Sequence, residues 1–308
     1  MEIHFNKCAP FISDFFICRC WCLSGLAFVK YWHGLKGFYC ELSWFNDKKM
    51  KEKVSIHMQR LKINFPWLGH ILPEGFPVPS STVITGPGGS GKPLVGNLIV
   101  ADWLKQGGSV IFMSLQYPDH SFIKSSIETL THLDLGEYQE QMAFISLDVS
   151  LDELKEAGKN HLKANVVKPE NWNVAIETTL KMVPNEGPGV LLFGSALNLL
   201  LFSPTYGKEI LEEMKKSLKK GSKYSVLFTT STSAKGDLIA ELDSVADNLM
   251  VVRGDRVTHK LYLTVERMKD VKFLKDEFEV PISKEDLSAL KEVADQSRKR
   301  IVPLVSKV

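Results

Sequence analysis

Eight residues with the sequence GPGGSGKP, at positions 86–93, have the types and spacing to bind a phosphate group. Seven of them fit the pattern G-x-x-x-x-G-K-S/T, in which backbone N–H groups surround phosphate oxygens and the lysine adds a full positive charge. The eighth position, where a hydroxyl would bind Mg²⁺, is a proline. The predicted phosphate-binding loop consists of Gly86, Pro87, Gly88, Gly89, Ser90, Gly91, Lys92 and Pro93.

Pro93 changes the chemistry of this loop. It offers neither a hydroxyl to a metal nor an N–H to a phosphate, and it disfavours helical dihedral angles at Lys92. Proline is nevertheless common in the first turn of a helix, so the loop can still fold. We expect the shape of the loop to persist without its usual Mg²⁺ coordination, and we predict no other metal site.

The residues on either side of the loop fit the elements that must position it. The β-branched run STVIT at 81–85 predicts a short strand, and within 92–105 apolar side chains recur at helical spacing, at Leu94, Leu98, Ala101 and Leu104. The phosphate-binding motif requires a strand, a glycine-rich loop and a helix in this order. The context therefore supports the motif.

Apolar runs and helical stretches alternate along the rest of the chain, which predicts an α/β fold with a mostly parallel central sheet flanked by helices. Further strands are predicted at 109–115, 142–147, 189–195, 224–230 and 245–252. The runs at 259–267 and 275–282 predict a C-terminal antiparallel hairpin. We assign residues 58–282 to this domain and residues 283–308 to a C-terminal helix and tail, with Ser283 as the helix N-cap.

The charge of the chain gives little support to a nucleic-acid partner. Its formal net charge is only +2 over 308 residues. The densest basic cluster falls at the end of a predicted helix, where cations are favoured by the helix dipole and usually face water. Its members are Lys215, Lys216, Lys219, Lys220 and Lys223.

Residues 1–57 differ from the rest of the chain. They hold all five cysteines, and the first 49 residues hold 12 of the 30 aromatic residues. Arg19 and Lys30 interrupt the apolar stretch too often for a membrane anchor, and no signal-peptide cleavage site follows it. The C-x-C-x-C run at 18–22 lacks the usual spacing of a metal site.

We expect this segment to lie outside the fold, with the natural start at Met50 or Met58. Because no cysteine follows residue 40, the body of the protein uses no disulfides, which predicts a reducing, cytoplasmic location. The near-neutral charge and the interrupted apolar stretch predict no membrane association.

Residues 61–282 resemble a single KaiC-like domain of the RecA superfamily. The resemblance rests on FPWLGHILPEGFPVPSSTVITGPGGSGK before and within the loop, on VADNLMVV, and on LTVERMKD followed by FEVPI. It implies a RecA-like P-loop ATPase fold, ATP or ADP as the ligand, and assembly into a homo-oligomer or with a KaiC-like paralogue. In this family a K-x-R pair reaches a neighbouring subunit's nucleotide, and Arg267 and Lys269 hold the corresponding positions with the residue types exchanged.

The same resemblance shows two further departures. The family's strand corresponding to 189–195 ends in an aspartate that holds the water shell of magnesium, and here Gly194 takes that position. A glutamate pair activates the attacking water in the family, whereas this chain has Gln116 and Tyr117. Because a glutamine orients a water but does not accept its proton, we expect hydrolysis to be absent or very slow.

Three functions stay open at this point. The first is a pseudo-ATPase that binds ATP or ADP weakly and acts through oligomerisation or a partner. The second is an active ATPase of low rate. The third is a recombinase-like DNA-binding module, which the loops after the strands at 189–195 and 224–230 support weakly because they carry few charges.

Overall fold

The computed structural model describes residues 59–115, 119–219, 223–255, 257–258 and 260–308, with backbone only at several positions between 284 and 294. It also describes the backbone of three strands nearer the N-terminus. The chain divides into two compact units, Met1–His57 and Met58–Val308.

The first unit contains β1 (Phe16–Cys22), β2 (Gly25–Gly34) and β3 (Gly37–Ser43). They pair antiparallel in the order β1-β2-β3. The cysteine side chains of the C-x-C-x-C run lie outside the described residues, and so does the rest of the segment.

The second unit is built on a ten-stranded sheet. It begins with a separate antiparallel pair, β4 (Gln59–Leu61) and β5 (Phe76–Val78). The strands of the large sheet are β6 (Ser81–Thr85), β7 (Ser109–Ser114), β8 (Met142–Leu147), β9 (Lys155–Gly158), β10 (His161–Ala164), β11 (Val190–Ser195), β12 (Ser225–Thr229), β13 (Asn248–Gly254), β14 (Leu261–Arg267) and β15 (Phe278–Val280).

The order of these strands is β15-β14-β13-β6-β12-β11-β7-β8-β10-β9. The seven strands from β13 to β10 are parallel, and antiparallel partners close both edges. The predicted α/β class, the mostly parallel sheet and the C-terminal antiparallel hairpin, formed by β14 and β15, are confirmed.

Seven α-helices accompany the sheet in the described part of the chain. They are α1 (Pro66–Ile71), α2 (Lys92–Lys105), α3 (His120–Thr131), α4 (Pro169–Leu180), α5 (Gly207–Lys219), α6 (Gly236–Val245) and α7 (Lys284–Val305). Short 3-10 helices follow α3 at Leu135–Gln141 and β11 at Leu197–Phe202.

Apolar clusters cover both faces of the sheet. Along β11, Leu191 and Phe193 pack in the cluster that contains the apolar side chains of α2, whereas Leu192 packs in the cluster that contains those of α4 and α5. This alternation is what a strand buried on both faces requires. Nearly every side chain that follows β11 in the 3-10 helix is also buried, which makes the run LNLLLF part of the core.

The elements not predicted from the sequence include β1 to β5 and α1, and also two elements later in the chain. The hairpin of β9 and β10 lies in a polar region, and all four residues of β9 are exposed, so no apolar alternation marks it. The helix α6 has only ten residues and follows directly on a loop rich in serine and threonine. Both elements are set by their neighbours in the fold rather than by their own apolar pattern.

Candidate functional site

The glycine-rich loop lies at the carboxyl end of the parallel strands. β6, which precedes it, is flanked by β12 and β13, so the loops that follow β6 and β12 are neighbours. The N–H of Thr232, after β12, donates to the carbonyl oxygen of Gly86 at 3.0 Å. In open α/β sheets the crevice outside the carboxyl ends of the strands is the usual ligand site. The fold therefore places the motif where ligands bind.

Two glycines fix the shape of the loop. Gly86 has a φ of +147°, and a Cβ atom there would lie 1.9 Å from the carbonyl oxygen of Val252. Gly91 is the N-cap of α2, with a φ of +65° in the left-handed region. Pro93 is accommodated in the first turn of α2, as expected. No residue with a side chain fits at Gly86 without moving a neighbouring strand.

Lys92 points into the loop and is 6% exposed. Its Nζ donates to the carbonyl oxygens of Gly86 at 3.0 Å and Pro87 at 2.5 Å, and to the hydroxyl of Ser90 at 3.2 Å. Burial lowers the pKa of Lys92 to about 8, because the charged ammonium is removed from water. The three groups that accept from Nζ are neutral, so a phosphate group would place a negative charge beside this buried ammonium.

The backbone N–H groups of the loop form an anion-binding arrangement. The N–H of Gly88 donates to the Ser233 hydroxyl at 2.7 Å. Among the described residues, no hydrogen-bond acceptor is found for the backbone N–H groups of Gly89, Gly91 and Lys92. Unsatisfied donors at the start of a helix attract phosphate, since the helix dipole adds a partial positive charge there. The residues present therefore fit a phosphate.

A cleft of about 240 Å³ opens above this loop. Its walls come from three parts of the chain: the phosphate-binding loop, the segments that follow β11 and β12, and the C-terminal half of α7. The hydroxyls of Thr229, Thr230, Ser231 and Ser233 make one wall polar, whereas Leu199 and Phe202 make another apolar. A cleft with a phosphate-binding end and an apolar wall suits a nucleotide.

A comparison with protein-family models gives a match to the model described as "ATPase: KaiC" over residues 61–292. The match covers more than half of the chain. The chain belongs to the KaiC family. It is thus a P-loop protein of the ATPase type, as the sequence motifs predicted, and nucleotide binding is the general property that this membership supports.

The fold of this KaiC-family chain is also similar to a solved structure. A KaiC-like protein from the hyperthermophilic archaeon Pyrococcus horikoshii OT3 matches with a TM-score of 0.57 and 15% sequence identity, over 74% of this chain and 96% of that protein. At this identity the likeness concerns the fold alone. A search of the curated proteins finds no match to the chain.

The magnesium ion that an ATPase of this type would use does not fit the side chains present. Pro93 lines the cleft at the position of the metal-binding hydroxyl. At Gly194, a Cβ atom would lie 2.4 Å from Leu197 Cδ1 and 2.7 Å from Phe228 Cδ1. The space that an aspartate would need is thus filled by apolar side chains. Across the described residues, moreover, no group of three His, Cys, Asp or Glu side chains could hold a metal ion.

The third departure lies outside the described residues, because these exclude Gln116 and Tyr117. The strand that precedes them ends as predicted, with the hydroxyl of Ser114 on β7 at 2.5 Å from that of Ser195 on β11. This contact links the ends of the two neighbouring strands on the α2 side of the sheet.

Arg267 and Lys269 make contacts within the chain. Nη2 of Arg267 donates to the backbone carbonyls of Asp243 at 2.6 Å and Ala246 at 2.9 Å, at the end of α6. Lys269 lies 3.2 Å from a carboxylate oxygen of Asp247. Arg267 therefore caps the C-terminal end of α6, where the helix leaves carbonyl groups unpaired.

Two of the five lysines in the predicted basic cluster form ion pairs in the described part of the chain. Lys215 forms ion pairs with Glu212 at 2.7 Å and with Glu241 at 2.8 Å, and Lys216 pairs with Glu213 at 2.6 Å. Lys220 lies outside the described residues. None of the helices in the described part of the chain has the length and apolar character needed to cross a membrane.

Two features of the site were missed in the sequence. One is Asp243 on α6, whose pKa is raised to about 6 by burial, against the opposing effects of a hydrogen bond with Thr85 and the charge of Arg267. Its Oδ1 atom is buried without a hydrogen-bond partner. The other is the pair Asp295 and Arg298 of α7, which line the cleft. No local pattern marks these residues, because the fold alone brings their helices to the loop.

Proposed function

We propose that this KaiC-family chain is a pseudo-ATPase that binds ATP or ADP through its phosphate-binding loop and does not use Mg²⁺ to hydrolyse them. The observation that carries the proposal is the lack of metal ligands at the cleft: Gly194 has no carboxylate, and a Cβ atom there would meet the apolar side chains of Leu197 and Phe228. Pro93 removes a second metal ligand. The loop itself keeps the buried Lys92 and its N–H groups, so binding and hydrolysis are separated.

We further propose that the protein acts in the cytoplasm by assembling with copies of itself or with a KaiC-like paralogue. A protein that binds a nucleotide without turning it over can still use the ligand to stabilise one conformation or assembly. The ion pairs of Lys215 and Lys216 weaken the case for a DNA partner, because the positive charge of these two lysines is already balanced by Glu212, Glu213 and Glu241.

Calorimetric titration of the full chain with ADP and with ATP, in EDTA and in excess Mg²⁺, tests the nucleotide part of the proposal. We expect the nucleotides to bind in EDTA and their affinity to change less than threefold on adding Mg²⁺. Lys92→Ala should lose binding because the phosphate-binding loop loses its positive charge. Light scattering with and without ADP tests assembly.

An assay of phosphate release separates this proposal from the active ATPase of low rate. We expect no release above the background of the Lys92→Ala variant. Release that depends on Mg²⁺ and disappears in Lys92→Ala would establish the active enzyme instead. Binding of single-stranded DNA with a steep salt dependence would favour the recombinase-like function.

A further inference from the structure

The last helix, α7, is anchored across the carboxyl end of the sheet. Ser297, Ile301 and Val305 are spaced four residues apart and are 4%, 6% and 0% exposed, so they form one buried stripe. Ile301 and Val305 belong to the apolar cluster on the α4 and α5 face. At the end of the chain, the hydroxyl of Ser203 donates to the carbonyl oxygen of Val308 at 2.7 Å. The helix is thus held in place over the site.

Two charged residues beside this stripe line the cleft. Asp295 and Arg298 lie three positions apart on α7, and both line the cleft whose other walls include the phosphate-binding loop. The Arg298 side chain is exposed, and the described residues show no hydrogen bond or ion pair for it. Both residues lie beyond position 292, where the match to the family model ends.

The balance of charge in the cleft raises a question about nucleotide binding. The phosphates of ADP or ATP carry several negative charges, and a divalent cation usually offsets part of them. Here the metal ligands are missing, and the loop supplies a single full positive charge, that of Lys92. Among the described residues that line the cleft, Arg298 is the other cationic side chain.

We propose that Arg298 binds the phosphates of the nucleotide from within the same chain and supplies the counter-charge that Mg²⁺ would otherwise provide. This inference rests on the proposed function, since it requires a nucleotide in the cleft. A guanidinium suits the task because it remains charged at any physiological pH and forms two parallel hydrogen bonds to phosphate oxygens. The carboxylate of Asp295 opposes the same anion, so the two residues of α7 have effects of opposite sign.

Titration of the full chain with ADP in EDTA tests the inference. We expect Arg298→Gln to weaken ADP binding about tenfold, because one hydrogen-bonded contact between the guanidinium and the phosphates is lost. Asp295→Asn removes a negative charge and is expected to tighten binding about threefold. Lys299→Gln is the matched control, because it removes the same charge from the next residue of α7, which does not line the cleft, and we expect its affinity to stay within twofold of wild type.

The outcomes distinguish this inference from the function on which it rests. If the wild type binds no ADP in EDTA, the proposed function fails and the inference fails with it. If the wild type binds ADP and Lys92→Ala abolishes binding, but Arg298→Gln binds as tightly as or more tightly than wild type, only the inference is overturned. An equal loss in Arg298→Gln and Lys299→Gln also overturns it, because the effect would then be one of general charge. Thermal unfolding without ligand checks that each variant is folded.

Discussion

At the scale of single residues, Lys92 determines how the site responds to pH. Its pKa of about 8 in the free protein means that the ammonium is charged at neutral pH and loses its proton as the pH rises through 8. A bound phosphate stabilises the charged form and so raises the pKa of Lys92 in the complex. Binding above pH 8 must therefore be accompanied by uptake of a proton.

This leads to a prediction about ADP affinity. Between pH 8 and 9.5 in EDTA, the affinity is expected to fall by up to about tenfold per pH unit, the limit for one proton taken up. Calorimetry in buffers of different ionisation enthalpy measures that proton directly. Arg298→Gln leaves Lys92 in place, so this variant should show the same slope from a weaker starting affinity. An affinity that stays constant from pH 7 to 9.5 would contradict the assignment of Lys92.

Asp243 makes a second prediction possible at this scale. Burial raises the pKa of Asp243 to about 6, above the ordinary value of 3.8. Between these two pH values the folded state therefore holds a proton that the unfolded state has released. The contribution of this group to stability is thus present at pH 4 and is lost as the pH rises through 6. We expect Asp243→Asn to raise the free energy of unfolding at pH 7 by about 1 kcal/mol, a value reduced for solvent screening of a partly exposed group.

Urea unfolding at pH 4 and pH 7 measures this difference, which should nearly vanish at the lower pH. Asp237→Asn is a suitable control on the same helix, because Asp237 lies in the first turn of α6 where a negative charge is favourable. That variant should lose a few tenths of a kcal/mol at pH 7. A destabilised Asp243→Asn at pH 7 would show that Arg267 compensates the buried charge fully.

At the scale of elements, the packing around β11 leads to a prediction about the proposed loss of the metal site. Gly194 lies between β7 and β12, and its side of the strand is filled by Leu197 and Phe228. We expect Gly194→Asp to destabilise the protein by about 3 kcal/mol or more, through overpacking and burial of an unpaired charge, without making ADP binding dependent on Mg²⁺.

The matched control for this variant is Gly236→Asp at the start of α6. A Cβ atom at Gly236 meets nothing within 4 Å, and the helix N-terminus favours a carboxylate, so this exchange should be neutral or slightly stabilising. Urea unfolding and calorimetry with and without Mg²⁺ measure both properties. If Gly194→Asp folds with unchanged stability and its ADP binding becomes dependent on Mg²⁺, the cleft is a metal site that lacks one ligand, and the packing around Gly194 does not prevent metal binding.

The elements also differ in whether local sequence patterns predicted them. The strands from β6 to β8 and from β11 to β15 were predicted because each is a continuous apolar run flanked by turn residues. The hairpin of β9 and β10 was not, since its exposed outer strand has no apolar alternation. The C-terminal helix was predicted from its start at Ser283, but its path over the cleft depends on contacts with distant parts of the chain.

At the scale of the whole molecule, the sequence by itself determined the α/β class, the phosphate-binding loop and the substitutions at Pro93 and Gly194, because each depends on neighbouring residues or on the order of elements. Only the tertiary structure decided that Leu197 and Phe228 pack where a side chain at Gly194 would lie, that Asp243 is partly buried, and that α7 carries Arg298 to the cleft. The physical reason is that burial and electrostatic environment depend on side chains far apart in the chain, which no short run of residues specifies.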